Sequence, residues 1–170
     1  MWITFIILAF VVLSDQITKY LAEIFIAEHK MVEIVPHILT VTKVYNKGAA
    51  WSILSDSTWV LVIVSLIATI ILFYYILKND WKTKKCYSIA TTLMLGGTFG
   101  NLIDRFFAVV YPEGREGVVD MIILEPLDSV WKFISGSSFP IFNVADIALV
   151  VGIAFLTIDI LFYQEKRAVK

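Results

Sequence analysis

The chain has 170 residues, 59% of them hydrophobic and 17% charged, with a formal net charge of −1, whereas an ordinary soluble domain is about 45–50% apolar and about 25% charged. That excess reads as an integral membrane protein, and the near-neutral charge, with no basic stripe and no aromatic RNA-reading motif, argues against a nucleic-acid partner. The single cysteine, Cys86, cannot close an internal disulfide and reads as an apolar residue near a helix start, beside Lys84 and Lys85.

A helix needs about 20 mostly apolar residues to cross a bilayer. The first expected span is Trp2 to about Leu21, which takes in Asp15 and Lys19. It lacks a basic leading region and a small-x-small cleavage site, so it reads as an uncleaved span. Loop one, about 22–56, contains "HILTVTKVY", in which Ile38, Thr40, Thr42 and Val44 alternate with Leu39, Val41 and Lys43, the pattern of strands lying on a membrane surface. Ser57 to Leu77 and Cys86 to about Phe107 are the second and third spans. Loop two, about 108–140, carries turn signals at "YPEG" and "SGSS", and Ile141 to about Tyr163 forms the fourth span, with Asp146 and Asp159 inside it. Lys78, Lys82, Lys84 and Lys85 between spans two and three, with Lys166, Arg167 and Lys170 in the tail, place both termini in the cytoplasm and both long loops outside. The expected fold is therefore membrane α-helical: four transmembrane helices with a small extracytoplasmic β-rich surface element and an extracytoplasmic loop or helix.

Ionisable groups inside spans mark functional sites by default, but each has a plainer reading. Asp15 and Lys19 are an i,i+4 pair, with Glu23 one step further on the same face; they are either a self-neutralising bridge or part of a site. Asp159, close to the cytoplasmic end, reads as structural and able to snorkel. In "LMLGGTFGNLIDRFF", Gly96 and Gly100 make a GxxxG step for close helix approach. Gly97, Asn101, Asp104 and Arg105 fall on about one-third of the circumference. Asp104 with Arg105 is either a structural pair or leaves the arginine fork for a carboxylate or peptide carbonyl. Asn46 and Gly48 in "YNKGAAW" read as a turn or as an amide placed to bind a substrate backbone. Asn143 lies three residues before Asp146, close enough to orient its carboxylate.

Asp146 alone could be a helix-start acid that complements the dipole. That leaves Asp120, just past the outer end of span three, unexplained. Two acids from different elements at one depth would form a dyad: carboxyl groups about 3 Å apart share a proton, one activating water while the other polarises the scissile carbonyl. Peptide hydrolysis is the chemistry that follows. His29 and His37, the only histidines, show no zinc spacing, so no metal is expected. The serines of "SGSS" lack a nucleophile elbow. Competing readings are a proton-relay or transporter-like protein, with Asp15, Asp104 and Asp146 along a pathway, and a non-catalytic membrane subunit.

In order, "DQITKY", "NKGAAW", "GGTFGNLIDR", "GVVD" and "FPIFNVAD" resemble the motifs of lipoprotein signal peptidase, the bacterial signal peptidase II family, over nearly the whole chain. The resemblance implies one peptidase domain over 1–170, an aspartic endopeptidase of the bacterial cytoplasmic membrane. Such an enzyme cleaves the signal peptide from prolipoproteins just before a diacylglyceryl-modified cysteine. It puts the catalytic pair on Asp120 and Asp146 and supporting roles on Asp15, Lys19, Asn46, Gly48, Asn101, Asp104, Arg105 and Asn143. It further implies membrane lipid as a partner, no cofactor, a monomer, and inhibition by peptide antibiotics of the globomycin type. The stretches 106–118 and 121–139 look longer than the family's usual loops, and Glu125 and Asp128 within the second read as solvated acids.

Overall fold

Apolar runs bounded by lysine and aspartate become helices, and the shorter β-branched runs between them become strands. The computed structural model describes residues 2–48, 58–113 and 116–164. In chain order the elements are α1 (Trp2–Phe25), β1 (Val32–Val35), β2 (Leu39–Asn46), α2 (Thr58–Leu77), α3 (Lys85–Val110), β3 (Val118–Leu124), α4 (Glu125–Ser135) and α5 (Val144–Asp159), the last continuing into a π-helical turn at Ile160–Gln164. Among the described residues α1, α2, α3 and α5 with its π turn are long and apolar enough to cross a membrane. The protein is an integral membrane protein, and large apolar side chains such as Phe10, Ile17, Ile63, Ile70 and Val150 face outward, where lipid replaces water.

α3 is the central helix and packs against α1, α2 and α5. Small buried residues make this close approach feasible: Ser88, Ala90, Thr91, Thr92, Gly96, Gly97 and Gly100 line its contact faces. The GxxxG pair makes room mainly for side chains. A Cβ on Gly96 would stand 2.8 Å from a Val11 methyl, and one on Gly100 2.7 Å from the Asp15 carboxylate. The closest backbone approach is instead at Gly97, where a Cβ would come within 2.3 Å of the Ala145 carbonyl oxygen of α5.

The antiparallel sheet has the order β1-β2-β3. Its third strand comes from loop two, for which turns and an extracytoplasmic loop or helix were expected. Val118 to Met121, Asp120 among them, are all buried, so the strand shows continuous burial instead of an alternation. In β2 it is the threonine face, Thr40 and Thr42, that is buried, while Leu39 and Val41 are half-buried. Val119 and Met121 pack on Ala22, which seats the sheet against the end of α1. α4 is a helix by sound local signals: Pro126 in its first turn with Glu125 and Asp128, Lys132 in its last turn, and Gly136 beyond it at φ 73°. Glu125 and Asp128 are therefore engaged acids: Glu125 accepts from the Thr40 hydroxyl at 2.6 Å and Asp128 pairs with Lys132 at 2.6 Å.

At the opposite end the Trp81 indole N–H donates to Thr4 Oγ1 at 2.7 Å, tying the α2–α3 connection to the start of α1. Asp159 does not snorkel. It is 2% exposed, enclosed where α5 passes into its π turn.

Candidate active site

Ile141 and Phe142 are apolar enough to continue α5 toward its N-terminus, but Phe142 is spent on strand pairing. Its N–H donates to Ile122 O at 3.2 Å and its carbonyl accepts from the N–H groups of Met121 and Ile122 at 3.1 and 2.8 Å. α5 thus begins at Val144, and Asp146 falls in its first turn. This short bridge carries the start of α5 onto the strand that holds Asp120.

Asn143 is the N-cap of α5. Its side-chain oxygen accepts from the Asp146 N–H at 2.9 Å, and its own N–H donates to Asp146 Oδ2 at 3.1 Å, a reciprocal capping box. Its amide N–H2 reaches Asp120 Oδ1 at 2.6 Å and Asn101 Oδ1 at 3.1 Å. One residue therefore touches both acids, Asp120 through its side-chain amide and Asp146 through its backbone N–H. The expectation that its amide would orient Asp146 is corrected: a helix start leaves backbone N–H donors free, and the Asp146 carboxylate takes that of Asn143, leaving the amide to Asp120.

The remaining carboxylate oxygens also receive amide donors. Asn46 Nδ2 donates to Asp120 Oδ2 at 2.8 Å, while its Oδ1 accepts from the Gly48 N–H at 2.9 Å. Gly48 sits at φ 104°, where a side chain would strain the turn. The turn reading of "NKG" is thus realised, and the Asn46 amide is engaged by Asp120. Asn101 Nδ2 donates to Asp146 Oδ1 at 2.8 Å. Asp120 is 2% exposed and Asp146 half-buried. Burial pushes the Asp120 carboxyl up to about 7 and the neighbouring Asp146 adds to this, against the lowering effect of the Asn46 and Asn143 donors and of Lys19.

Lys19 sets the orientation of Asn101. Its ammonium lies 2.8 Å from Asp15 and 2.6 Å from Asp104, all three side chains having 0% exposure, and it donates to Asn101 Oδ1 at 3.0 Å. With a cation on its oxygen, the Asn101 amide must turn its N–H2 toward Asp146. Asp15 in turn accepts the Ala145 N–H at 2.9 Å, so α1 holds an orphan donor at the start of α5. The i,i+4 bridge is real, but it is one side of a three-helix cluster. Asp104 pairs across to Lys19, and Arg105, for which a pair with Asp104 was one of two readings, reaches Ser65 Oγ on α2 at 2.8 Å.

All ten residues singled out from the sequence lie in or next to this cluster, and two that were not join it. Gln16 Nε2 donates to Asp15 Oδ2 at 3.1 Å and Gly100 O at 3.3 Å. Ser65 holds Arg105 while 7% exposed. Its signal was a lone hydroxyl in the apolar run "LVIVSLIA".

The fold is that of a four-helix membrane protein in which two acids, one on β3 and one at the start of α5, are each held by amide donors, and its class is a membrane peptidase of aspartic type, the class of the family whose model it matches. A family model described as "Signal peptidase (SPase) II" matches residues 7–162. The chain belongs to the signal peptidase II family, whose members are aspartic-type peptidases. It is 37% identical over 162 residues to a lipoprotein signal peptidase of Anoxybacillus flavithermus, covering 95% of this chain and 87% of that protein. It is 38% identical over 164 residues to a lipoprotein signal peptidase of Lactiplantibacillus plantarum, covering 95% of each. A solved structure described as "Bacterial membrane enzyme structure by the in meso method at 1.9 A resolution" superposes with a TM-score of 0.76 at 32% identity, covering 96% of both chains.

Proposed function

We propose that this peptidase removes the signal peptide from diacylglyceryl-modified prolipoproteins, cutting N-terminal to the lipidated cysteine, with Asp120 and Asp146 as its catalytic pair. The names of the two relatives support the substrate class. The observation that carries the site is Asn143, whose side-chain amide donates to the Asp120 carboxylate while its backbone N–H donates to the Asp146 carboxylate, so that one residue holds both acids.

Asp120, held high by burial, is the protonated member, and Asp146, at the positive end of the α5 dipole, is the base. Asp146 takes a proton from water as its oxygen attacks the scissile carbonyl carbon, and Asp120 protonates the carbonyl oxygen to give a tetrahedral diol. The C–N bond then breaks. The Asp146 proton passes to the leaving amine, and Asp120 recovers the hydroxyl proton as the new carboxyl group forms. No metal or cofactor enters these steps. Lys19, Asp15 and Asp104 act as positioning residues through Asn101 and the start of α5, while Asn46 and Gly48 hold Asp120 from the sheet side. The enzyme works as a monomer in the bacterial cytoplasmic membrane, termini inside and site outward, with the acyl chains of its substrate left in lipid. Globomycin-type peptides bind across the two acids.

The test uses purified protein in detergent with a diacylglyceryl-modified prolipoprotein, read by the gel shift on signal-peptide loss. Wild type cleaves; Asp120→Asn and Asp146→Asn, each folded, fall by at least about a thousandfold, since neither role survives loss of its carboxyl group. An inert wild type, or normal cleavage by either variant, overturns the assignment and favours a relay or subunit role.

A further inference from the structure

Outside the active site, three metal-ligating side chains that no sequence motif connects are brought together at one corner of the sheet. Glu33 lies in β1, His37 in the β1–β2 turn and Glu125 at the first position of α4, and one ligand atom from each lies within 4.8 Å of the others. We propose that they form a binding site for a divalent transition-metal cation of the Zn²⁺ type.

The convergence is built by backbone structure. Leu39 pairs with Leu124, and the Glu125 N–H donates to Ile38 O at 3.1 Å, which pins the start of α4 to the turn. His37 is held at φ 58°, with its N–H on Glu33 Oε1 at 2.8 Å. Thr40 Oγ1 donates to Glu125 Oε1 at 2.6 Å. Each carboxylate thus has one oxygen steadied by a protein donor and a second left to coordinate, the outer support that ligating carboxylates generally have. Two carboxylates and a neutral imidazole balance a divalent charge, and the nitrogen donor selects zinc-like ions over Ca²⁺ and Mg²⁺. Ligands of a tetrahedral zinc ion stand about 3.4 Å apart, a closure within reach of the exposed Glu33 and His37 side chains by torsion alone. Asp128 and Lys132 line the adjoining cleft but neutralise one another at 2.6 Å.

The site would have a structural effect. α4 has no buried residue of its own and is held by a few contacts, Asp128 on the Phe139 N–H and Trp131 against the Phe139 ring, with Glu125 on Thr40 at its first turn. A metal shared by the hairpin and Glu125 fastens it.

The experiment titrates tag-free full-length protein in detergent with ZnCl₂ by calorimetry and with Co²⁺ by visible absorption. The variants are His37→Asn, Glu125→Gln and His29→Ala; asparagine tolerates the left-handed backbone and so keeps the turn while removing the imidazole. We expect one Zn²⁺ per chain with a micromolar Kd, visible Co²⁺ bands, at least tenfold weaker binding in His37→Asn and Glu125→Gln, and no change in His29→Ala. Binding that is absent up to about 1 mM Zn²⁺, or that survives His37→Asn unchanged, overturns the proposal. Neither readout depends on peptidase activity.

Discussion

Replacing Asn46 with alanine removes one of the two amide donors on Asp120. The bond is 2.8 Å long and its acceptor is 2% exposed, so water cannot readily substitute. A hydrogen bond to an ionised group contributes about 1.5–3 kcal/mol, and one pKa unit corresponds to about 1.36 kcal/mol. Deleting this donor should therefore lift a carboxyl already at about 7 by about one to two units. In the proposed mechanism Asp120 works protonated, so activity is lost as pH rises through its pKa, and the alkaline limb of kcat/KM should move from near 7 to about 8–9. Stability carries the same sign. The folded-state pKa lies above the ordinary 3.8, so the folded state binds more protons between those values; this contribution is fully present below about pH 4 and is lost as pH rises through about 7. In Asn46→Ala the loss extends to the higher limb. Cleavage of a diacylglyceryl prolipopeptide from about pH 5 to 10, with thermal unfolding of the same samples, measures both. A limb that stays fixed or moves to lower pH would refute this reasoning.

Two further predictions concern the three-helix cluster. Lys19→Met leaves Asp15 and Asp104 facing a vacated cation site 2.8 and 2.6 Å away; it should cost about 3–5 kcal/mol, with partial recovery on adding Asp104→Asn. Denaturant unfolding in detergent checks this, and a single variant as stable as wild type counts against the cluster. Gly97→Ala sets a methyl 2.3 Å from the Ala145 carbonyl oxygen, a backbone atom that can yield only if α5 moves. The expected results are about 1–3 kcal/mol of destabilisation and a roughly hundredfold slower cleavage, because the displaced helix carries Asp146.

The four spans were legible because hydrophobic length and flanking charge suffice to define them. β3 was not, since a strand covered on both faces loses the alternation that would announce it. α4 was expected only as an extracytoplasmic loop or helix; Pro126, its first-turn acids and the αL-compatible Gly136 are the signals that place it at Glu125–Ser135. Both site aspartates were visible as acids at the edges of apolar runs, but their connections were not. The link from Asn143 to Asp120 depends on Phe142 pairing with β3, and the link from Lys19 to Asp104 on the packing of α1 against α3. The Asp104–Arg105 pair suggested by adjacency gave way because neighbours along a helix point in directions about 100° apart.

The buried cluster also bears on biogenesis. A charge at mid-membrane raises the cost of inserting a helix by about 2.5–3.5 kcal/mol, yet α1 brings Asp15 together with Lys19, and α3 brings Asp104 beside Arg105. Each of these helices therefore enters the membrane with an acid and a base as near neighbours. α5 holds Asp146 and Asp159 and no lysine or arginine, so it is the span whose insertion depends on partners already in place: the Asn101 amide waiting on α3 and the cation that α1 has kept there since the first turns of synthesis.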